Sequence, residues 1–302
     1  MKLNALAEFC GGISAEYALG EPMEKHTSFK IGGPADILIY AASVKQLCSV
    51  LKKCKELEIP YFILGKGSNL LVSDGGIAGA VISLSKMNEI SVTDGGLVCG
   101  AGASMSEVCR AALENSLAGV EFAYGIPGSV GGALFMNAGA YGGQMSDVVS
   151  SAVCVTPEGE TVTVGAEDMN FGYRTSVFKT GGLIVAGAGF TLEKGDKGEI
   201  ERKMKDYIGR RKSKQPLEYP SAGSFFKRPK GNYAGALIEK NGLKGLKEGG
   251  AEVSEKHAGF IVNTGGATCG DVKRLSLRVS DAVFAADGIR LEPEVIFVGR
   301  NE

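Results

Sequence analysis

From residue 43 to 57, SVKQLCSVLKKCKEL, apolar side chains recur at Val44, Leu47, Leu51, Cys54 and Leu57 with polar and charged residues between them. Intervals of three and four make the stripe of an amphipathic helix, and Ser43 stands where an N-cap belongs. YFILG (61–65) is an apolar run of strand length. AGAVISL, EISVTDGGLVCGAG, SSAVCVTPEGETVTV and GGLIVAGAGFTL follow as β-rich runs joined by glycine-containing turns, with TPEGE as a hairpin tip. Helical spacing returns in SMSEVCRAALENSL, where Ser104 or Ser106 ahead of Glu107 forms a capping pattern. It returns again in KGEIERKMKDYIGRRKSK (197–214), whose apolar seam is Ile200, Met204, Tyr207 and Ile208, and in GDVKRLSLRVSDAVFAADG. LEPEVIFVG supplies a final strand, and no repeat of fixed period appears.

At 302 residues the chain exceeds what one hydrophobic core usually organises, which predicts two or three cooperating domains. Composition and charge shift at Pro216, the best boundary. A formal charge of -1 gives no electrostatic case for nucleic acid or membrane partners. No stretch reaches the ~18 to 20 apolar residues of a membrane span. Seven cysteines without a C-x-x-C pair, after a polar N-terminal segment, suggest reduced thiols in a cytoplasm. With only His26 and His257 as histidines, metal chemistry is not expected. Glycine is the outlier: 45 residues is about twice the usual ~7%, a sign of tight turns and close backbone approaches.

Four stretches carry candidate chemistry. LGKGSNLLVSDGGIAG (64–79) empties a strand into Gly65, Lys66, Gly67, Ser68, Asn69 and Leu70, where successive backbone N–H groups can cradle a diphosphate. It matches neither a Walker A loop nor a Rossmann fingerprint, and a plain β-turn would account for it alone. AYGIPGSVGGALFMNAGAYGGQMSD (123–147) is a second glycine-rich run, with Ile126, Pro127, Gly128, Ser129, Gly131, Gly132, Asn137, Ala138 and Gly139. Its small residues let backbone pass over a flat phosphorylated ligand, with Ser129 and Asn137 as hydrogen-bonding groups. Two such cradles suit a long diphosphate-centred ligand such as FAD. In FGYRTSVFK (171–179), Arg174 beside Tyr173 is either a carboxylate or phosphate binder or a surface arginine lying on an aromatic ring. Last, SAGSFFKRP and LEPEVIFVG offer Ser224 and Glu294, alone no more than a turn serine and a strand-edge carboxylate.

HTSFKIGGPAD, LGKGSNLLVSD, GIPGSVGGALFMNAGAYG, YRTSVF, SAGSFFKRP and LEPEVIFVG, in this order from about residue 20 to the C-terminus, resemble the UDP-N-acetylenolpyruvoylglucosamine reductases. The resemblance implies an α+β protein: an FAD-binding fold of the vanillyl-alcohol-oxidase type in two subdomains, then a C-terminal α+β substrate-binding domain. On this chain those become 1–75, to which the final strand of 291–302 can return, then 76–215, and 216–302. It implies a bacterial cytoplasmic flavoenzyme of peptidoglycan precursor synthesis, with FAD held non-covalently by the two glycine-rich stretches, NADPH as co-substrate and a UDP-sugar as substrate. The family's catalytic serine, arginine and glutamate fall on Ser224, Arg174 and Glu294, and its substrate contacts on Tyr173, Lys227 and Arg228. Arg228 stands where some members have asparagine, which makes that contact a charge-assisted phosphate bond. The short spacing from YRTSVF to SAGSFF places the chain with the type II enzymes. A flavin-dependent sugar or alcohol oxidase of the same fold is the alternative, and a non-catalytic sugar-nucleotide module would need no flavin.

The expected chemistry explains a serine with no base beside it in the sequence. Hydride arriving at the terminal methylene of the enolpyruvyl group leaves an enolate-like centre next to the carboxylate, basic enough to take a proton from an alcohol. Ser224 then acts as an acid, and Arg174 binds the carboxylate and spreads its charge. Glu294, if protonated, hydrogen-bonds the enolate; if ionised, it orients Arg174. The sequence leaves both open.

Overall fold

The computed structural model describes residues 1–300, and its chain divides into two units. The first comprises Met1–Leu19, Ile37–Lys66 and Gly79–Arg210; the second comprises Gly20–Asp36, Gly67–Ala78 and Arg211–Glu302.

The first unit holds most of a four-stranded sheet ordered Glu16–Pro22, Pro34–Tyr40, Ile77–Ser83, Tyr61–Leu64, the last two parallel in the register Tyr61 with Ala80. Helix Val44–Glu56 buries Leu47, Val50, Leu51 and Cys54, and Ser43 caps it by accepting from Gln46 N. A second, wholly antiparallel sheet is ordered Thr161–Gly165, Val149–Val155, Ile184–Thr191, Gly96–Gly100, Ile90–Thr93. Its outer hairpin turns at TPEGE, where Thr156 N donates to Glu160 O (2.8 Å). Helix Met105–Glu114 starts at a capping box in which Ser104 accepts from Glu107 N while the Glu107 carboxylate takes the Ser104 amide. Bonds from the Ser104 side chain and backbone hold the Glu107 carboxyl below the usual carboxylate range. Helix Lys197–Lys214 has the predicted limits and buries Ile200 and Met204. One continuous core, from Leu6 to Met204, underlies these elements.

In the second unit the antiparallel sheet Ser221–Ser224, Phe260–Asn263, Ala251–Val253, Lys247–Glu248 packs with helices Ala234–Lys240 and Cys269–Asp287. Helix Cys269–Asp287 buries Val272, Leu275, Val279 and Val283, one stripe at helical spacing, and opens with a Thr268 and Asp271 capping box. Phe29 and Ile31 of the HTSFKIGG motif are fully or almost fully buried in this core, with Phe225 and Leu71. Strand Ile296–Val298 runs parallel to Leu70–Val72. The helix Lys197–Lys214 spans the division between Arg210 and Arg211.

Candidate active site

In the first unit the residues 128–131 of the glycine-rich run lie against residues 101–105. Met105 N donates to Gly128 O (3.1 Å), Val130 N to Ala103 O (2.9 Å) and Gly131 N to Ala101 O (2.9 Å), around an antiparallel bridge between Ser104 and Ser129. Despite Gly131 and Gly132 the run forms a short helix, Val130–Phe135, which starts directly after Ser129. A Cβ on Gly131 would meet Ala101 Cβ at 3.1 Å, so this glycine admits a neighbouring strand end. On Gly65 a Cβ would lie 2.6 Å from Ser129 Oγ. That hydroxyl is buried and has no hydrogen-bond partner among the described residues. Gly65 and Ser129 therefore form a close-packed notch with one unused polar group. Lys66, beside it, is exposed.

Further along the run, Ala138 N closes onto Ala133 O (2.8 Å), and Gly139–Ala140 pairs with Gly143–Gln144 as a two-residue hairpin. Its tip, Tyr141, stacks on Tyr207 with ring centroids 4.5 Å apart. Asn137 is buried with φ of 41°; its amide donates to Gly172 O (3.1 Å) and accepts from Ser146 N (3.0 Å). Arg174 occupies a tight turn bridged from Gly172 to Thr175, with φ of 56°, a left-handed conformation unusual for arginine. Its Nη2 donates to Gly139 O (3.4 Å), and its guanidinium lies 5.4 Å from the centroid of the exposed Tyr173 ring. Strain of this kind survives where surrounding bonds over-determine it, and it gathers at sites with a task.

The second unit holds the other predicted residues. Gly67 has φ of 61°, and a Cβ there would lie 2.1 Å from His26 O, so glycine is required by the chain's own backbone. Ser68 and Asn69 are partly exposed, while Leu70 is buried and begins the strand paired with Ile296–Val298. Asn69 Nδ2 donates to Glu294 O (3.2 Å), and Glu294 N donates to Phe225 O (2.8 Å). Ser224 and Glu294 thus sit on adjoining backbone segments. The pairing of Ser221–Ser224 with Phe260–Asn263 shifts register between Ser221 and Ser224, and Gly223 has φ of 80°. Such a bulge re-aims the following side chain, and Ser224 emerges exposed. Among the described residues no group hydrogen-bonds its hydroxyl, so no base is paired with it. Lys227 pairs with Glu292 (3.0 Å), and the Arg228 guanidinium lies 4.0 Å from the Tyr233 ring centroid.

Two features are not visible in the sequence: the role of Ser176, whose Oγ donates to Phe135 O (2.9 Å), and the bridge between Ser104, expected only as a cap, and Ser129. Ser176 stands inside YRTSVF, but its partner is a main-chain carbonyl 41 residues away, which local sequence does not reveal. Among the described residues no group of three or more His, Cys, Asp or Glu could hold a metal ion, and no helix is long and apolar enough to cross a membrane.

The model for the C-terminal domain of UDP-N-acetylenolpyruvoylglucosamine reductase matches residues 215–298, and that of an FAD binding domain matches 35–165. The UDP-N-acetylenolpyruvoylglucosamine reductase of Clostridium perfringens is 47% identical over 286 residues, 95% of this chain and 94% of the relative. That of Clostridium kluyveri is 49% identical over 283 residues, 94% and 93% of the two chains. The crystal structure of the same-named enzyme from Thermus caldophilus superposes with a TM-score of 0.80 at 35% identity, covering 94% of this chain and 98% of that one. These likenesses bear out the α+β class and the flavin-binding fold.

Proposed function

The chain belongs to the UDP-N-acetylenolpyruvoylglucosamine reductase family, and from that premise we propose that it reduces the enolpyruvyl ether of this UDP-sugar to the lactyl ether, with NADPH as electron source, in peptidoglycan precursor synthesis. The FAD-binding region matched at 35–165 and the buried Ser129 hydroxyl over Gly65 fit a flavin held non-covalently, its diphosphate taken by main-chain N–H groups of the 65–70 and 126–139 stretches. FAD supplies the hydride that the side chains of this protein cannot. Residues 216–302 form the substrate domain in this reading, consistent with the match at 215–298, and 1–75 and 76–215 the flavin-binding subdomains.

The observation that carries the proposal is Ser224: exposed after a bulge, beside the Glu294 backbone, and with no base on its hydroxyl. A serine nucleophile requires a base to remove its proton. A serine acid requires only an acceptor more basic than an alkoxide, and the carbon next to the carboxylate becomes one when hydride adds to the methylene. Ser224 gives its proton to that carbon. Arg174 meets the carboxylate and stabilises the charge that builds up there, with Tyr173, Lys227 and Arg228 on the substrate. Glu294, when protonated, hydrogen-bonds the enolate.

The test separates the two half-reactions. In Ser224→Ala, flavin reduction by NADPH in stopped flow should keep its wild-type rate. Reoxidation by the enolpyruvyl substrate should fall ~10²- to 10⁴-fold, the usual worth of general-acid catalysis, and Ser224→Cys should recover part of it. Equal slowing of both half-reactions would make Ser224 structural and sink the proposal.

A further inference from the structure

Three side-chain bonds join the turn that carries Arg174 to the end of the glycine-rich run, and on the run they fall on alternate residues. Ser176 Oγ donates to Phe135 O (2.9 Å), Asn137 Nδ2 to Gly172 O (3.1 Å) and Arg174 Nη2 to Gly139 O (3.4 Å). Asn137 is at the centre. A side-chain amide has one acceptor oxygen and two donor hydrogens. Here the oxygen takes Ser146 N (3.0 Å), and the nitrogen serves both Gly172 O and Gln144 Oε1 (3.4 Å). With 3% of the residue exposed, that amide is engaged by its own chain and has little capacity left for a ligand.

The backbone points the same way. Asn137 and Arg174 both have positive φ, 41° and 56°. Asparagine tolerates this conformation better than most residues, whereas arginine needs neighbours that hold it. Position 137 therefore calls for a residue that accepts the left-handed turn and also donates to the carbonyl of Gly172. Ser176, 2% exposed, anchors the other end of the same turn.

We propose that Asn137, together with Ser176, is a positioning residue for Arg174: the two side chains fix the Gly172–Thr175 turn before the substrate carboxylate arrives. The main chain of Ala138 and Gly139 stays with the flavin cradle, while the Asn137 side chain serves the arginine. The proposal rests on the reading of Arg174 as the carboxylate-binding group. A clamp set in advance binds without having to be ordered at the moment of contact, and misplacement by about 1 Å can cost ~10²-fold in rate.

Ser176→Ala removes one strut without altering backbone preference. Asn137→Asp keeps the acceptor for Ser146 N and the tolerance of positive φ, and removes the donor to Gly172 O. The measurements use FAD-loaded protein: flavin per chain by absorbance, flavin reduction by NADPH, Kd of UDP-N-acetylmuramate by calorimetry, and kcat/KM for the enolpyruvyl substrate. Both variants should keep their flavin and its reduction rate, with product affinity weakened ~10-fold and kcat/KM lowered by up to ~10²-fold. In an Arg174→Ala background neither should cause a further loss, because the struts act through the arginine. Wild-type kcat/KM in both variants would overturn the proposal, as would loss of flavin or a full additional loss in the Arg174→Ala background. If Arg174→Ala itself left affinity and kcat/KM unchanged, the carboxylate reading would fall and this proposal with it. A severe Arg174→Ala beside silent struts would remove only the present inference.

Discussion

Ser129→Ala should stabilise the flavin-free protein and weaken flavin binding at the same time. Ser129 is 1% exposed, and its hydroxyl has no hydrogen-bond partner among the described residues. A buried polar group left unsatisfied costs ~1–3 kcal/mol, so removing it should raise the stability of the apoprotein by about 1 kcal/mol once the small void is counted. If the same hydroxyl meets a flavin phosphate, the lost bond is a charged one worth ~1.5–3 kcal/mol, and the Kd for FAD rises roughly 10- to 150-fold. Urea denaturation of deflavinated protein gives the first quantity, and fluorescence titration with FAD gives the second. Gly65→Ala adds a control, because its new Cβ would lie 2.6 Å from Ser129 Oγ and no closer than 3.9 Å to Ser129 Cβ. Overpacking should cost it ~1–3 kcal/mol in the parent and almost nothing in Ser129→Ala. An apoprotein destabilised by Ser129→Ala, or an unchanged FAD affinity, would refute the reasoning, since the hydroxyl would then have an internal role.

Burial pushes His257 below the ordinary histidine value, and its ring accepts from Gly259 N (3.1 Å). The fold therefore favours neutral imidazole: the contribution is present above the unfolded value of about 6.5 and is lost as pH falls through the lower folded value. Urea midpoints between about pH 7.5 and 5.5 should decline less in His257→Gln than in the parent, and an equal decline would exclude this source. Six of the seven cysteines are buried, with Cys10 and Cys154 pushed up to about 11 and Cys54 and Cys99 to about 12, while Cys48 is partly exposed. Brief alkylation of native protein near pH 8 should label Cys48 alone by mass spectrometry, and rapid labelling at Cys109 or Cys154 would contradict the burial.

Elements with a periodic apolar stripe and a cap were legible in the sequence. Val44–Glu56, Met105–Glu114 and Lys197–Lys214 have close to their expected limits because spacing and capping chemistry are local. Val130–Phe135 was not legible, since Gly131 and Gly132 are poor helix formers and the segment is held by packing and by bonds to 101–103. Lys2–Gly12 and Pro34–Tyr40 were not legible either: the first has two terminal glycines, and the second begins inside HTSFKIGGPAD, which carries the family resemblance and not a strand pattern. Residue identity alone left Arg174 open between two readings and Ser224 and Glu294 no more than a turn serine and a strand-edge carboxylate; only the family pattern gave them expected roles. What no string of letters displays is the bulge at Gly223, the positive φ of Arg174 and the carbonyls that Asn137 and Ser176 reach, because each depends on pairing between distant segments.

The parallel pairing of Ile296–Val298 with Leu70–Val72 has a consequence for the order in which the protein is made. The second unit draws on Gly20–Asp36, Gly67–Ala78 and Arg211–Glu302, so its first two segments leave the ribosome long before the residues that complete it. Through that interval Leu70–Val72, whose three residues are all buried in the finished structure, presents an unpaired edge and an apolar surface. Such segments invite association between nascent chains. A polypeptide released at residue 290 would keep all the residues of the first unit and still leave this edge open, because its partner strand is among the last segments to be made.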